Sequence, residues 1–217
     1  MALIISYVVC FRISPMASPI KEASLTAQRL NYEKAELWLQ QLRELVALDL
    51  SHNAIARLPR GFPPSLIALD LSFNTLVSFR PTHRLANLVE LKLTHNRIDS
   101  TLGLMHCTAL EYLDVSSNKI TQIAGLELLV RLKLLHVDNN KIAAMSCLRP
   151  LSLNTRLENL SLKGNPCTAV ANYRTMVLSF AGAVKVLDGA VVSHRSCKLD
   201  VGYTDVFLGG GGGGIKS

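Results

Sequence analysis

Leucine falls on a fixed beat along most of the chain. It stands at Leu45, Leu66, Leu88, Leu110, Leu132 and Leu157, at intervals of 21, 22, 22, 22 and 25 residues. Three residues after each comes a second leucine: Leu48, Leu69, Leu91, Leu113, Leu135 and Leu160. Two further on is Leu50, Leu71, Leu93, Val115, Val137 or Leu162, and three beyond that always asparagine: Asn53, Asn74, Asn96, Asn118, Asn140 and Asn165. Within each unit apolar and polar positions alternate with period two. That predicts one short strand per unit, with leucines turned inward and the residues between them outward. Six such units predict parallel strands stacked in a solenoid that buries leucine on leucine.

The asparagines are expected to be scaffold. An amide with two donors and an acceptor can satisfy backbone groups where the chain turns inward, and stacked copies form a structural ladder. An apolar position follows at Ile55, Leu76, Ile98, Ile120, Ile142 and Cys167, with Cys167 filling an isoleucine slot. Three later stand Leu58, Phe79, Thr101, Ile123, Met145 and Val170, and Leu104, Leu126 and Leu148 close the convex side of the middle repeats. A solenoid must also cover its ends. Upstream, Ile20, Ala23, Leu25 and Leu30 fit the same columns as a degenerate first repeat, with Gln28 in the asparagine column. Asn31 is placed to N-cap a helix bearing Ala35, Trp38, Leu39, Leu42 and Leu45, with Trp38 as a lid over the core.

The LxxLx[LV]xxN pattern resembles the leucine-rich repeat, over roughly residues 20 to 190. Its 22-residue length, with Gly103-Leu104 and Gly125-Leu126, is similar to the short intracellular class named for a protein-phosphatase regulator. Gly164-Asn165-Pro166, Tyr173-Arg174, Val177, Phe180 and Val186-Leu187-Asp188-Gly189 resemble the C-terminal cap of that regulator, of spliceosomal A-prime and of axonemal dynein light-chain proteins. The chain departs from that cap at Gly182-Ala183-Val184, where Pro-x-Leu is common; the helix is expected to survive with an altered exit. The resemblance implies an α/β solenoid, a horseshoe with parallel strands on its concave face and a C-terminal cap. The expected division is an N-terminal extension (1–19), a repeat domain (20–190) and a Gly-rich tail (191–217). Within the domain, the degenerate repeat takes 20–44, the regular repeats 45–165 and the cap 166–190.

Composition narrows the picture. Of 217 residues, 49 % are hydrophobic and only 6 % aromatic, ample for a core built of Leu, Ala, Val and Ile. The net charge of +7 is scattered, with no run that would mark a nucleic-acid tail. Five cysteines (Cys10, Cys107, Cys147, Cys167, Cys197) without a CxxC spacing argue against a zinc ribbon or a disulfide framework, and for buried thiols in a reducing compartment. Ala2 to Phe11 is apolar but too short to span a bilayer and has no basic flank, while Met16 offers a second start. The ending GGGGIKS has Ile215 where a phosphate loop needs glycine, so the Gly209–Gly214 run is taken as a linker. The expected location is the cytoplasm, with the cilium or flagellum cytoskeleton as its particular setting and the nucleus as an alternative.

Catalytic patterns such as HExxH or GxSxG are absent, and the expectation is a protein that is not an enzyme and uses no cofactor or metal. Asp49, Asp70 and Asp114 share an outward column, but Lys92 interrupts it and His136 and Ser161 continue it, which reads as a solvated concave surface. Asn159-Leu160-Ser161 matches a glycosylation sequon but sits inside a strand. The outward columns are Ala47, Ala68, Glu90, Tyr112, Leu134, Asn159; then Asp49 and its equivalents; then Ser51, Ser72, Thr94, Ser116, Asp138, Lys163. Strand exits carry His52, Phe73, His95, Ser117 and Asn139. Strands about 4.8 Å apart make this a face roughly 25–30 Å long, enough for a helix or peptide. The candidate partner-binding residues are Asp49, Asp70, Phe73, Lys92, His95, Tyr112, Asp114, Leu134, His136 and Asp138. The function the resemblance implies is a scaffold or adaptor, monomeric by itself, that holds a protein partner in this face, with a ciliary or axonemal setting preferred. A phosphatase regulatory subunit and a spliceosomal particle component are the alternatives; direct contact with nucleic acid is not expected, for want of a stacking platform among basic residues.

Overall fold

The computed structural model describes residues 22–192 apart from 28, 31, 40–43 and 82–84, and without the side chains of Tyr32 and Trp38. Within those bounds one sheet runs the length of the molecule. Its strands are β1 (Glu22–Ser24), β2 (Ala47–Asp49), β3 (Ala68–Asp70), β4 (Glu90–Lys92), β5 (Tyr112–Asp114), β6 (Leu134–His136), β7 (Asn159–Ser161), β8 (Val186–Leu187) and β9 (Ala190–Val191). They lie in chain order, parallel up to β8, and β9 folds back antiparallel. Register never slips: Ala23, Leu48, Leu69, Leu91, Leu113, Leu135, Leu160 and Leu187 form one inward column. Upstream of the regular repeats, β1 thus adds one more parallel strand to the stack. Ile20, Gln28, Asn31, Leu42, the Trp38 side chain, the N-terminal extension and the Gly-rich tail beyond Val192 lie outside the described residues, while Val191, the first residue of that expected tail, belongs to β9.

The inward columns are buried throughout, with Leu104, Leu126 and Leu148 beneath the convex turns. Cys107 and Cys167 belong to that core, and burial pushes the Cys107 thiol up to about 12, so it stays protonated at neutral pH. Three-ten turns at Leu102–His106, Leu126–Leu128, Met145–Leu153 and Pro166–Ala169 carry the chain over the convex side. There the backbones approach closely: a Cβ at Gly103 would collide with the Phe79 carbonyl.

The asparagine ladder is regular. Asn118 shows its unit: Nδ2 donates to the Leu93 carbonyl of the preceding repeat (2.9 Å) and to Val115 (3.0 Å) and Ser116 (3.1 Å) of its own. Its Oδ1 accepts the Ile98 amide at 2.9 Å. Asn53, Asn74, Asn96, Asn140 and Asn165 likewise reach back to the preceding repeat and accept an amide from it. Each rung ties two repeats together, so the stack is continuous in hydrogen bonds as well as in leucine.

The ends differ from expectation. Upstream, α1 (Tyr32–Leu39) buries Ala35 and Leu39, and Leu45 lies outside any helix, in the first leucine column of the next turn. Downstream, α2 (Tyr173–Phe180) stands where the cap helix was expected. The segment after it, which the periodicity did not mark as strand, pairs with β7 and ends the sheet. Asp188 makes that ending possible. Each repeat's Leu50-type amide donates to the backbone carbonyl of the next strand, as Val137 does to Ser161 at 2.9 Å. The last of these amides, Leu162, donates to the Asp188 carboxylate at 2.8 Å, and the other carboxylate oxygen accepts the Tyr173 hydroxyl at 3.0 Å. β8 ends at Leu187, and the Asp188 side chain, on a backbone at φ 55°, takes the place of the strand carbonyl.

Two convex positions also depart from the column reading. Val170 is 40 % exposed, because the three-ten turn there leads straight into α2 instead of over another turn. Thr101 is fully buried, made tolerable by its hydroxyl donating to the Ala124 carbonyl at 2.7 Å.

Candidate protein-binding face

The outward columns share one face of the sheet, where strand pairing fixes which side chains adjoin. Ala47 opposes Ala68, Glu90 opposes Tyr112, and Leu134 opposes Asn159; one position on, Asp49 opposes Asp70, Lys92 opposes Asp114, and His136 opposes Ser161. Two hollows result. One, of about 440 Å³, is lined by Ala23, Ala47 and Ala68 with Asp49, Asp70 and Lys92. The other, of about 400 Å³, is lined by Leu134, His136, Asp138, Asn159, Ser161 and Lys163. Tyr112 and Asp114 on β5 line neither and divide them.

Tyr112 is held on both sides. Lys92 lies 5.8 Å from its ring centroid while pairing with Glu90 at 2.8 Å, and His136 meets the ring edge-on at 6.1 Å. The hydrogen bond to Glu90 holds the Lys92 ammonium above its ordinary value; burial first, then the Asp114 charge, raises the Tyr112 phenol. Asp114 lies 3.7 Å from the His136 imidazole, an ion pair only when that ring is protonated.

The acidic column is more embedded than a freely solvated row. Asp49 accepts the Ser51 amide at 2.8 Å and the Thr26 hydroxyl at 2.9 Å, with Ser24 at 3.4 Å. Burial alone would raise its carboxyl, but these donors outweigh it and hold the group below its ordinary value. Asp70 and Asp114 repeat the pattern on the Ser72 and Ser116 amides, and Asp138 accepts the Ser161 hydroxyl at 2.5 Å. Ser51, Ser72 and Ser161, expected on the open surface, are buried: they point outward but are too short to clear their neighbours.

The strand exits hold a feature that the sequence carried as one column but that only geometry reveals. His52, Phe73, His95, Ser117 and Asn139 all have φ between 53° and 55°. A side-chain-bearing residue enters this left-handed region at about 1–2 kcal/mol. Each is held there by donating its amide to a carbonyl of the next repeat, from Ser72, Thr94, Ser116, Asp138 and Lys163 in turn. Identical backbone geometry one repeat apart makes the rings parallel. His52 stacks on Phe73 at 4.2 Å and Phe73 on His95 at 4.3 Å, with interplanar angles of 10° and 13°. Phe73 remains 43 % exposed, as the middle of a three-ring ridge beside the first hollow. The ten candidate residues are therefore distributed over several parts of the face. Asp49, Asp70 and Lys92 line the first hollow, Leu134, His136 and Asp138 the second, Tyr112 and Asp114 divide them, and Phe73 and His95 lie on the ridge.

Among the described residues no group of three or more His, Cys, Asp or Glu side chains is placed to hold a metal ion, and no helix is long and apolar enough to cross a membrane. In-register parallel strands, leucine columns and an asparagine ladder define the class: the chain is a leucine-rich repeat protein. Residues 86–128 match the family model for two copies of the leucine rich repeat. The chain is similar to dynein axonemal assembly factor 11 of Trypanosoma brucei brucei, 43 % identical over 102 residues, covering 47 % of this chain and 27 % of that protein. It is also similar to podocan-like protein 1 of Mus musculus, 44 % identical over 61 residues, covering 27 % of this chain and 11 % of that one. The chain thus spans about a quarter or less of the length of these relatives. A leucine-rich repeat protein of Leptospira interrogans superposes with a TM-score of 0.57 at 22 % identity, covering 67 % of this chain and 38 % of that one, a likeness of fold alone. Folds of this kind typically serve protein interaction through an extended concave surface and are not usually enzymes.

Proposed function

We propose that this protein is a non-catalytic scaffold or adaptor that holds a protein partner against its concave face, in a ciliary or axonemal setting. The observation that carries the reading is the outward face itself: two open hollows flanking a braced tyrosine, with an exposed ring ridge along one border. Aromatic side chains held rigid at small entropic cost are the usual anchors of protein interfaces. The setting rests on the similarity to a protein named as a dynein axonemal assembly factor, which covers 47 % of this chain.

The test is affinity capture from ciliated or flagellated cells, comparing the wild type with Tyr112→Ala combined with Phe73→Ala. Both side chains are partly exposed, so the variant should unfold within about 1 kcal/mol of the wild type, yet lose most of its co-purifying partner. Recovery of axonemal assembly proteins from the cytoplasmic or detergent-resistant fraction supports the setting. Unchanged capture by the double variant would move binding off this face.

A further inference from the structure

The two hollows differ in what they could accept. The second has a mixed lining: Asp138 is engaged by Ser161, with Lys163 and His136 nearby, so its charge selects no occupant. The first is unlike it in three respects. The outward positions at its centre are alanine (Ala47, Ala68), so the open volume comes from side chains too short to fill it. Four carboxylates line it, Glu22, Asp49, Asp70 and Glu90, against one cation, Lys92, which Glu90 already engages at 2.8 Å. One Asp70 oxygen accepts the Ser72 amide, and among the described residues no hydrogen bond reaches the other. Along its exit side runs the His52–Phe73–His95 stack, in which both faces of Phe73 are covered and its exposed edge offers an apolar border. Small floor, net negative lining and aromatic border together specify an occupant with long cationic side chains and an apolar residue beside them.

We infer that the N-terminal half of the concave face, from β1 to β4, docks a basic segment of a partner protein, whose lysine or arginine side chains reach Asp49 and Asp70 across the alanine floor while a neighbouring apolar side chain rests on the Phe73 ridge. This rests on the concave-face reading above and adds the partner's chemistry. Arginine suits the site best, because its planar fork can pair with a carboxylate through two hydrogen bonds.

The experiment uses the full-length chain and one helical peptide in three versions, alike except that one face carries Lys and Arg, Gln, or Glu, each with a single Leu beside that face. Titration calorimetry should find the basic version binding about tenfold or more tightly than the Gln version, and weakening as salt rises from 50 to 500 mM, as expected for partly exposed charge pairs. Asp49→Asn with Asp70→Asn keeps an oxygen for each serine amide but gives up the carboxylate oxygen that the Thr26 hydroxyl donates to, so the melt should fall by only about a few degrees, with binding compared well below it, while affinity for the basic peptide falls about tenfold. Phe73→Ala should give a smaller loss for all three versions. The inference is overturned if the Glu version binds equally well, or if the double variant binds the basic peptide as the wild type does. Leu134→Ala with His136→Ala separates the two levels. If it alone abolishes binding, the concave face is still used and only the basic-segment assignment fails; if neither pair matters, both readings fail. Sedimentation with rising protein concentration covers the remaining occupant: self-association abolished by the Asp pair would make the basic segment that of a second copy and overturn the separate partner.

Discussion

The two halves of the concave face are built on one scaffold and share almost nothing on their surface. Beneath β2 and β3, as beneath β6 and β7, the same columns of leucine are buried and the same asparagine bonds recur. Above them, alanine and aspartate in the first half give way to leucine, histidine, asparagine and serine in the second. Alternation along a strand separates the two tasks: positions that face in are constrained by packing on both neighbouring repeats, while positions that face out meet only their lateral neighbours. The fold can thus be held constant while the binding chemistry varies from one half to the other.

That equivalence of the inner columns is the first thing to challenge, and it should yield the largest effect. Leu91→Ala in β4 and Leu135→Ala in β6 each remove a fully buried side chain, and each should lower unfolding free energy in urea by about 2–5 kcal/mol. If one cost a small fraction of the other, the halves would differ in their core as well as on their face.

The capped end offers a smaller and more local break. Asp188→Ala removes the acceptor of both the Leu162 amide and the Tyr173 hydroxyl, and should cost about 1–3 kcal/mol. Hydrogen exchange should quicken at Leu162 before it changes at Leu50, whose partner is the Asp70 backbone carbonyl. Equal quickening at both would mean that the solenoid opens as one unit. The smallest effect is expected from acid. Because Asp49 is held below its ordinary value, its stabilising contribution is complete above the usual carboxylate range near pH 4 and fades as pH falls through its lower native value. Between pH 5 and 3, amides around Ser51 should lose protection in wild type but less so in Asp49→Asn. Protection that falls equally in both would assign the acid response to other groups.

Most of the fold was readable because the repeat constrains four columns at once, and a leucine or asparagine in six successive copies has few other uses. The readings failed where a residue leaves the repeat. Val170 kept its column number but not its burial, since the chain there turns into α2. Asp188 was legible as part of a familiar cap, but its task depends on β8 ending at Leu187, one residue short of the position that supplies the carbonyl in the other repeats. The candidate face was legible as a set of columns and not as a set of contacts. His52, Phe73 and His95 were placed in one column, yet their stacking follows from a shared left-handed backbone that the residue types do not announce.

The 25-residue interval between Leu132 and Leu157 has a consequence for how such a chain can change over time. Three residues beyond the common interval of 22 are taken up on the convex side, around the Met145–Leu153 turn, where Asn154 ties the longer loop to the carbonyls of Leu126 and Leu129, both at 2.9 Å. Across the sheet nothing has moved: Leu134 still opposes Asn159, and Leu135 still opposes Leu160. Insertions and deletions of a few residues are therefore neutral currency on the outer arc and ruinous on the inner one, where a single residue would swap every inward side chain for an outward one. The inner face can gain or lose length only by whole turns, so its lineage should record substitutions and repeat duplications, while the outer arc collects the small gaps.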